Sequence, residues 1–173
     1  ECHLWAAKAK ALFPAGGFNA GFRELADARF FVLARLPLPV EHADYPAFPA
    51  LLHLWTFDVA GRVVHLENRL PIAAFGVAFL LLAASALRRA GGLLAGTLLF
   101  AALALTTYAV RGFVAAHADG IVACAALAMV DAWQRWRERG ERRWFALTCL
   151  AAGLLLWSKH EGALIVASFL AAV

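Results

Sequence analysis

Residues 70–89 read LPIAAFGVAFLLLAASALRR, a run of eighteen uncharged, mainly apolar residues that is closed by two arginines. A helix needs about 20 predominantly apolar residues to cross the hydrocarbon core of a bilayer, so this run is typical of a membrane span. Four more apolar runs follow, at residues 91–110, 113–133, 144–158 and 162–173. The sequence therefore predicts an all-α fold: a polytopic membrane helix bundle over residues 70–173 with about five spans, the last of them truncated.

The composition argues against a soluble globular domain. Apolar residues make up 63% of the chain and charged residues 16%, whereas soluble domains carry about 25% charged residues. The formal charge of +4 does not indicate nucleic acid as a partner, because five arginines are concentrated at residues 135–143 between two apolar runs. A nucleic-acid surface requires basic residues along one face of a folded domain. Three widely spaced cysteines likewise exclude a disulfide-stapled module.

Residues 1–69 differ from the rest of the chain. They contain seven acidic and seven basic residues, and no window among them is long and apolar enough to span a bilayer. Short apolar segments at residues 4–13 and 48–59 are typical of helices that lie at a membrane surface. The second helix should begin near Pro46 and present an apolar face made of Leu51, Leu52, Trp55 and Val59. We therefore expect a long outer loop with juxtamembrane helices at residues 1–69.

The basic residues of the short loops predict how the bundle is oriented. Arg88 and Arg89 close the first run and five arginines lie between the third and fourth, whereas Arg111 and Lys159 are single basic residues in the alternate loops. Cytoplasmic loops are enriched in Lys and Arg, so the arginine-rich loops are expected in the cytoplasm. Residues 1–69 and the two alternate turns then share the periplasmic side. The prediction is a multi-pass protein of the bacterial inner membrane.

Ionisable residues at the ends of the runs are candidates for function, because a charge at a membrane is costly without a partner. Asp119 begins the third run, where it either caps a helix or takes part in chemistry. Lys159 follows the fourth run, where it either extends to the interface or holds a phosphate group as a point charge. Asp131 is predicted to pair with Arg135, one helical turn later.

The cluster HADYP at residues 42–46 allows three interpretations: a turn, acid/base chemistry by Asp44, or metal ligation by His42 and Asp44, which supplies at most two ligands. His117, two residues before Asp119, is a further candidate. The spacing of the histidines and cysteines predicts no metal cage, and no glycine-rich phosphate loop of the nucleotide-binding type is present. The sequence requires no cofactor and leaves a divalent metal as an open question.

Five motifs occur in a characteristic order: WAAKAKALF at residues 5–13, HADYPAFPALL at 42–52, NRLP at 68–71, AHADG at 116–120 and LLLWSKHEG at 154–162. Their order, spacing and shared membrane side resemble the membrane-embedded GT-C glycosyltransferases. The resemblance is to the bacterial polyprenyl-phosphate-mannose protein mannosyltransferases and the lipid A aminoarabinose transferases. It covers nearly all of the chain, which is expected to be an N-terminal fragment of such an enzyme.

The resemblance implies a site as well as a reaction. Enzymes of this type transfer a sugar from a polyprenyl-phosphate donor to a lipid, protein or glycan acceptor. The position of the general base is matched by Glu1 and the acid of the second outer loop by Asp119, while the later lysine is matched by Lys159. Lys159 is the candidate phosphate contact that the resemblance implies, and His42, Asp44 and His117 are further candidates for contacts to the substrates on their chemistry alone. In the aminoarabinose branch a Lys-Pro-Pro begins the loop helix, whereas this chain has Asp44-Tyr-Pro, so a phosphate-binding role is not implied there.

Two other classes of function fit a polytopic protein. One is a transporter or flippase module, and the other is a membrane subunit without a catalytic site. Transporters place ionisable groups near the bilayer midplane on broken helices. Here the polar candidates are expected at outer span ends, where Glu1, Asp44, Asp119 and Lys159 should converge on one polar cavity. This favours the enzyme.

Overall fold

The computed structural model of the chain describes residues 6, 9–10, 13, 48–64, 67–105 and 118–173. Of these residues 92% are helical and none lies in a strand, which confirms the all-α prediction. The chain divides into two compact units, Glu1–Pro71 and Ile72–Val173.

The first unit contains helix α1, Phe48–Ala60, and a short 3-10 helix, Glu67–Arg69. Gly61 ends α1 with a positive φ of 64°, a conformation that glycine adopts without steric cost. The helix packs through Ala50, Leu54 and Phe57, and Phe57 meets the ring of Phe13 edge to face at 6.0 Å. With 13 residues α1 is about 20 Å long, which is too short to cross a bilayer.

The predicted apolar face of α1 is only partly right. Leu51 is buried, but Trp55 and Val59 are exposed, and the residues that pack in their place include Ala50 and His53. The reason is that α1 is apolar around most of its circumference, so the helical spacing alone does not say which apolar side packs inward.

Helix α2, Leu70–Leu105, contains both of the first two predicted spans. Its regular path is interrupted at Gly92, where φ is 78° and ψ is 179°, a region essentially restricted to glycine. A Cβ atom at Gly96 would lie 2.7 Å from the backbone nitrogen of Arg88, although residues eight apart in a straight helix are separated by about 12 Å. The second half of α2 therefore turns sharply back against the end of the first.

The rest of the second unit is formed by helices α3, Ala118–Arg139, α4, Arg142–Ser158, and α5, His160–Ala172. Gly140 joins α3 to α4 with a φ of 68°, and a single extended residue, Lys159, joins α4 to α5. Such short connections make consecutive helices antiparallel neighbours. The core between them is formed by Ala125 and Met129 of α3 with Ala151 and Leu155 of α4, and residues of α5 such as Phe169 pack against it.

One segment of the described helices, Leu70–Leu94, is both long and apolar enough to cross a membrane. Only 17% of its most apolar window is buried, in contrast to the core helix of a soluble protein. Helix α5 is apolar but has 13 residues. The prediction of about five spans is therefore not confirmed beyond this one segment.

Helix α4 has an apolar surface on both of its sides. Its buried stripe contains Thr148, Ala151, Leu155 and Ser158. The opposite side is also apolar, and its large exposed residues are Phe145, Leu147, Leu150, Leu156 and Trp157. Large contiguous apolar surfaces of this kind are the mark of contact with lipid or with other protein surfaces.

Candidate functional site

The strongest candidate site is a cluster of three charged side chains, Asp119, Lys159 and Glu161, which we call the Lys159 cluster. The ammonium nitrogen Nζ of Lys159 lies 2.8 Å from Oδ1 of Asp119, to which it donates a hydrogen bond, and 3.4 Å from Oε1 of Glu161. The lysine side chain is 14% exposed, whereas the two carboxylates are 61% and 52% exposed. A mostly buried ammonium group is thus held by two carboxylates that remain exposed to solvent.

The helix arrangement explains why these residues meet. The helices α3, α4 and α5 alternate in direction. As a result, α3 and α5 begin at the same end of the second unit, and α4 ends there. Asp119 lies in the first turn of α3 and Glu161 in the first turn of α5. Negative charges are favoured near helix N-termini, where the backbone amides are unpaired. We call this end of the second unit the Lys159 end.

The turn that places Lys159 depends on Gly162. A Cβ atom at position 162 would overlap the carbonyl oxygen of Leu155 and lie 2.5 Å from its carbonyl carbon. The glycine therefore lets the first turn of α5 approach the last turns of α4, and its amide donates a hydrogen bond to the carbonyl of Lys159 at 2.9 Å. The lysine backbone is extended, with φ −162° and ψ 153°.

The chemistry available to the Lys159 cluster follows from its composition. An ammonium group can hold an anion such as a phosphate, and exposed carboxylates can accept hydrogen bonds from hydroxyl groups or take up a proton. The cluster carries one positive and two negative formal charges, so an anion must exchange with a carboxylate to reach Lys159. Within the described ranges, no group of three or more His, Cys, Asp and Glu side chains is arranged to hold a metal ion.

The expected proximity of Asp119 and Lys159 is present in the structure. Their roles in chemistry stay predictions. Sequence reasoning missed Glu161 as the third member of the cluster, although its place directly after His160, in the first turn of a helix, was a usable signal. The remaining predicted site residues lie outside the described residues, and they are Glu1, His42, Asp44 and His117.

A second polar network lies at the opposite end of the second unit, which we call the arginine end. Arg89 of α2 and Arg135 of α3 both donate to the carboxylate of Asp131, the latter at 2.7 Å. Both arginines also donate to Oγ of Ser85, at 3.2 and 3.0 Å. The predicted pair of Asp131 and Arg135 is confirmed, while the contribution of Arg89 was not foreseen.

The same network brings the two arginine-rich segments together. Asp131 is 4% exposed and lies near the C-terminus of α3. Its contact with Arg89 shows that the part of α2 just before Gly92 lies beside that C-terminus. The two arginine-rich segments, at residues 88–89 and 135–143, therefore lie at the same end of the second unit. Their placement on a common membrane side stays a prediction.

Comparison of the chain with protein-family models, with curated proteins and with solved structures finds no match.

Proposed function

We propose that this protein is a multi-pass membrane glycosyltransferase that moves a sugar from a polyprenyl-phosphate donor to a lipid, protein or glycan acceptor on the periplasmic face. The observation that carries the proposal is the contact of Lys159 with Asp119 at the end of the helices that lies away from the arginines. The resemblance of the motifs to GT-C enzymes supplies the reaction.

The placement in a membrane is supported by exposed apolar surface. The segment Leu70–Leu94 is long enough to cross a bilayer and mostly unburied. The outward side of α4 is apolar as well, with Leu150 and Leu156 among its exposed residues. In water such surfaces would be unfavourable by roughly 25 cal/mol for each Å². In a bilayer they face hydrocarbon, so we propose that α2, α3 and α4 lie in the bacterial inner membrane and that the 13-residue α5 packs against them there without crossing the whole hydrocarbon core.

The orientation is supported by the distribution of basic residues. Seven arginines lie at the arginine end, at residues 88–89 and 135–143, and Lys159 lies at the other. Because basic residues are retained on the cytoplasmic side, the arginine end faces the cytoplasm and the Lys159 end faces the periplasm. A polyprenyl-phosphate donor carries its phosphate at a membrane surface, which is the depth at which Lys159 is proposed to act.

The Lys159 cluster is proposed to open when the donor binds. The donor phosphate exchanges with a carboxylate on Lys159, which the solvent exposure of Asp119 and Glu161 allows. The ammonium group then neutralises the phosphate as it leaves with the bonding electrons, an electrostatic stabilisation of the transition state. Asp119, released from the lysine, is free to accept hydrogen bonds from the sugar.

The atoms and electrons of the proposed transfer are all supplied by the donor and the acceptor, so the step requires no cofactor. The hydroxyl oxygen of the acceptor bonds to the anomeric carbon while the bond from that carbon to the phosphate oxygen breaks. A carboxylate takes the hydroxyl proton as general base, a role that the resemblance gives to Glu1 with Asp119 as the second acid. His42, Asp44 and His117 are proposed as further contacts to the substrates, without a role that the resemblance supplies.

The position of the charges supports an enzyme over a transporter or flippase module. Between Gly120 and Val130 of α3 no residue is charged, and the same is true of residues 144–158 and 162–172. Transporters carry such groups near the middle of their spans. The described part of the bundle carries its charges at its two ends, as expected when chemistry occurs at a membrane surface.

The proposal is tested with the full-length protein reconstituted in lipid nanodiscs and supplied with polyprenyl-phosphate sugars. Release of polyprenyl phosphate reports transfer whatever the acceptor. Lys159→Ala should lower turnover by about a hundredfold or more, the usual effect of removing one charge-stabilising donor. Arg62→Ala is the matched control, because its side chain is 71% exposed and lies 3.7 Å from Glu67.

Two results decide the matter. Loss of turnover in a Lys159→Ala protein that keeps its wild-type melting profile supports the proposed phosphate contact. Wild-type turnover in that variant would rule out the proposed phosphate contact. Glu161→Gln should retain turnover, because this change eliminates a competing carboxylate but leaves the lysine in place.

A further inference from the structure

The arginine end of the second unit carries an aromatic groove that the transfer reaction does not use. The groove has a volume of about 490 Å³ and is lined by Trp133, Trp136, Arg137 and Gly140. The rings of Trp133 and Trp136 are 4.7 Å apart. They are continued by Phe169 of α5, 5.7 Å from Trp133, and by Phe145 of α4, 5.1 Å from Trp136. Rings from α4 and α5 thus pack against the two tryptophans, while the groove itself is lined by the end of α3 and Gly140.

The charges around this groove are unbalanced. From residue 137 to residue 143 there are four arginines and two glutamates. Arg143 contacts Glu141, and Arg135 is held by Asp131 and lies 4.7 Å from the ring of Trp144. For Arg137, which lines the groove, no carboxylate partner is found among the described residues. Within the part of the chain that the structure describes, the groove therefore combines two tryptophan rings with a guanidinium group that is paired with no carboxylate.

We propose that this groove binds the headgroup of an anionic phospholipid of the cytoplasmic leaflet, with Arg137 holding the phosphate and the two tryptophan rings bordering the glycerol and upper acyl region. Guanidinium groups bind phosphate oxygens through two parallel hydrogen bonds. Tryptophan rings are enriched at the depth of lipid headgroups, since they present an apolar body and one N–H donor. The negative potential of the cytoplasmic leaflet attracts the neighbouring arginines to the same surface.

The occupant is a lipid rather than a soluble anion for a structural reason. A soluble phosphate would be recognised by several converging polar groups, whereas the groove offers one charged side chain and two tryptophan rings. That combination suits a molecule with one anionic group and an adjoining apolar part. The inference depends on the proposed membrane placement and is independent of the transfer reaction at the opposite end.

The test measures bound lipid on the full-length protein by native mass spectrometry, after exchange into mixed micelles of phosphatidylglycerol or phosphatidylcholine with identical acyl chains. Wild-type protein should retain phosphatidylglycerol in preference to phosphatidylcholine. Arg137→Gln should lower the retained phosphatidylglycerol at least about fivefold, the ratio that one basic residue contributes near an anionic surface. Arg143→Gln removes one positive charge from the neighbouring first turn of α4, outside the groove, and should retain the lipid.

Equal losses in Arg137→Gln and Arg143→Gln would mean a diffuse attraction to anionic lipid and would overturn the groove as a site. Displacement of the lipid by millimolar inorganic phosphate would overturn it in favour of a soluble anion. Turnover of a polyprenyl-phosphate sugar is measured on the same samples. Lipid binding and catalysis are thus scored separately, and loss of one leaves the other proposal standing.

Discussion

Gly162 lies against the carbonyl group of Leu155 with no space for a side chain between them. This contact lets α4 and α5 be joined by one residue, Lys159, whose backbone is extended. The lysine is therefore fixed at its base by a tight turn and at its tip by Asp119. The position of the proposed phosphate contact depends on a glycine that itself carries no functional group.

Gly162→Ala should destabilise the protein, since the new Cβ atom would force α5 away from α4. Overpacking of this kind costs about 1–3 kcal/mol. The measurement is the thermal unfolding midpoint of the full-length protein in detergent. Gly153→Ala is the matched control in α4, where nothing lies within 4 Å of the new Cβ atom. That change should be neutral or stabilise by up to about 1 kcal/mol, the helix-propensity gain of Ala over Gly. Destabilisation by Gly153→Ala, or none by Gly162→Ala, would contradict the packing.

Asp131→Asn should destabilise the second unit, because two arginines lose the carboxylate that they share. We expect a loss of about 2–3 kcal/mol, below the cost of breaking a fully buried pair since Arg89 keeps part of its access to water. Arg89→Gln should cost less, because Arg135 still pairs with Asp131. The comparison is made by chemical or thermal unfolding, and the reverse order of the two variants would refute the shared arrangement.

Gly92→Ala should open the turn within α2. Its φ of 78° and ψ of 179° are strained for any residue with a Cβ atom, at a cost of about 1–3 kcal/mol. Spin labels attached at Val77→Cys and Leu98→Cys, two exposed positions on either side of the turn, report the geometry. The distance between the labels should become longer and more broadly distributed in the Gly92→Ala protein. An unchanged distribution would show that the turn does not depend on glycine.

The proposed orientation predicts how introduced cysteines react. In a protein whose three native cysteines are replaced by alanine, Ala20→Cys should react with a membrane-impermeant maleimide in intact cells. Glu138→Cys, at the arginine end, should react only after the cells are made permeable, because arginine-rich segments stay in the cytoplasm. The opposite pattern would place Lys159 in the cytoplasm and end the periplasmic proposal.

Helix positions were largely predictable from the apolar runs, but the turn between the first two runs was misplaced. The arginines at residues 88 and 89 were expected to end a helix, yet they are helical and the turn occurs at Gly92. The helix continues through them, and Arg89 reaches Asp131 from that position. A basic pair indicates a membrane boundary, whereas the site of a sharp turn is set by the residue that tolerates a positive φ.

The contacts of the candidate site were predictable only in part. The proximity of Lys159 and Asp119 could be predicted, because helices that alternate in direction bring the start of α3 and the end of α4 to the same end of the bundle. The contact of Arg89 with Asp131 could not be predicted, because it depends on which helices pack side by side. The positions of the apolar runs do not determine that. The packed side of α1 was missed for a related reason, since both of its sides are apolar enough to pack.

The length of α4 has a consequence for the membrane around it. Its 17 residues rise about 25 Å, which is about 5 Å less than the hydrocarbon thickness of a typical bilayer. If α4 crosses the membrane, lipids beside it must compress to match, at a cost of a fraction of a kcal/mol per Å. The bilayer would be thinnest where α4 emerges, next to Lys159. A lipid-linked phosphate diffusing in the outer leaflet would reach the lysine through this depression, with its isoprenoid chain still in hydrocarbon.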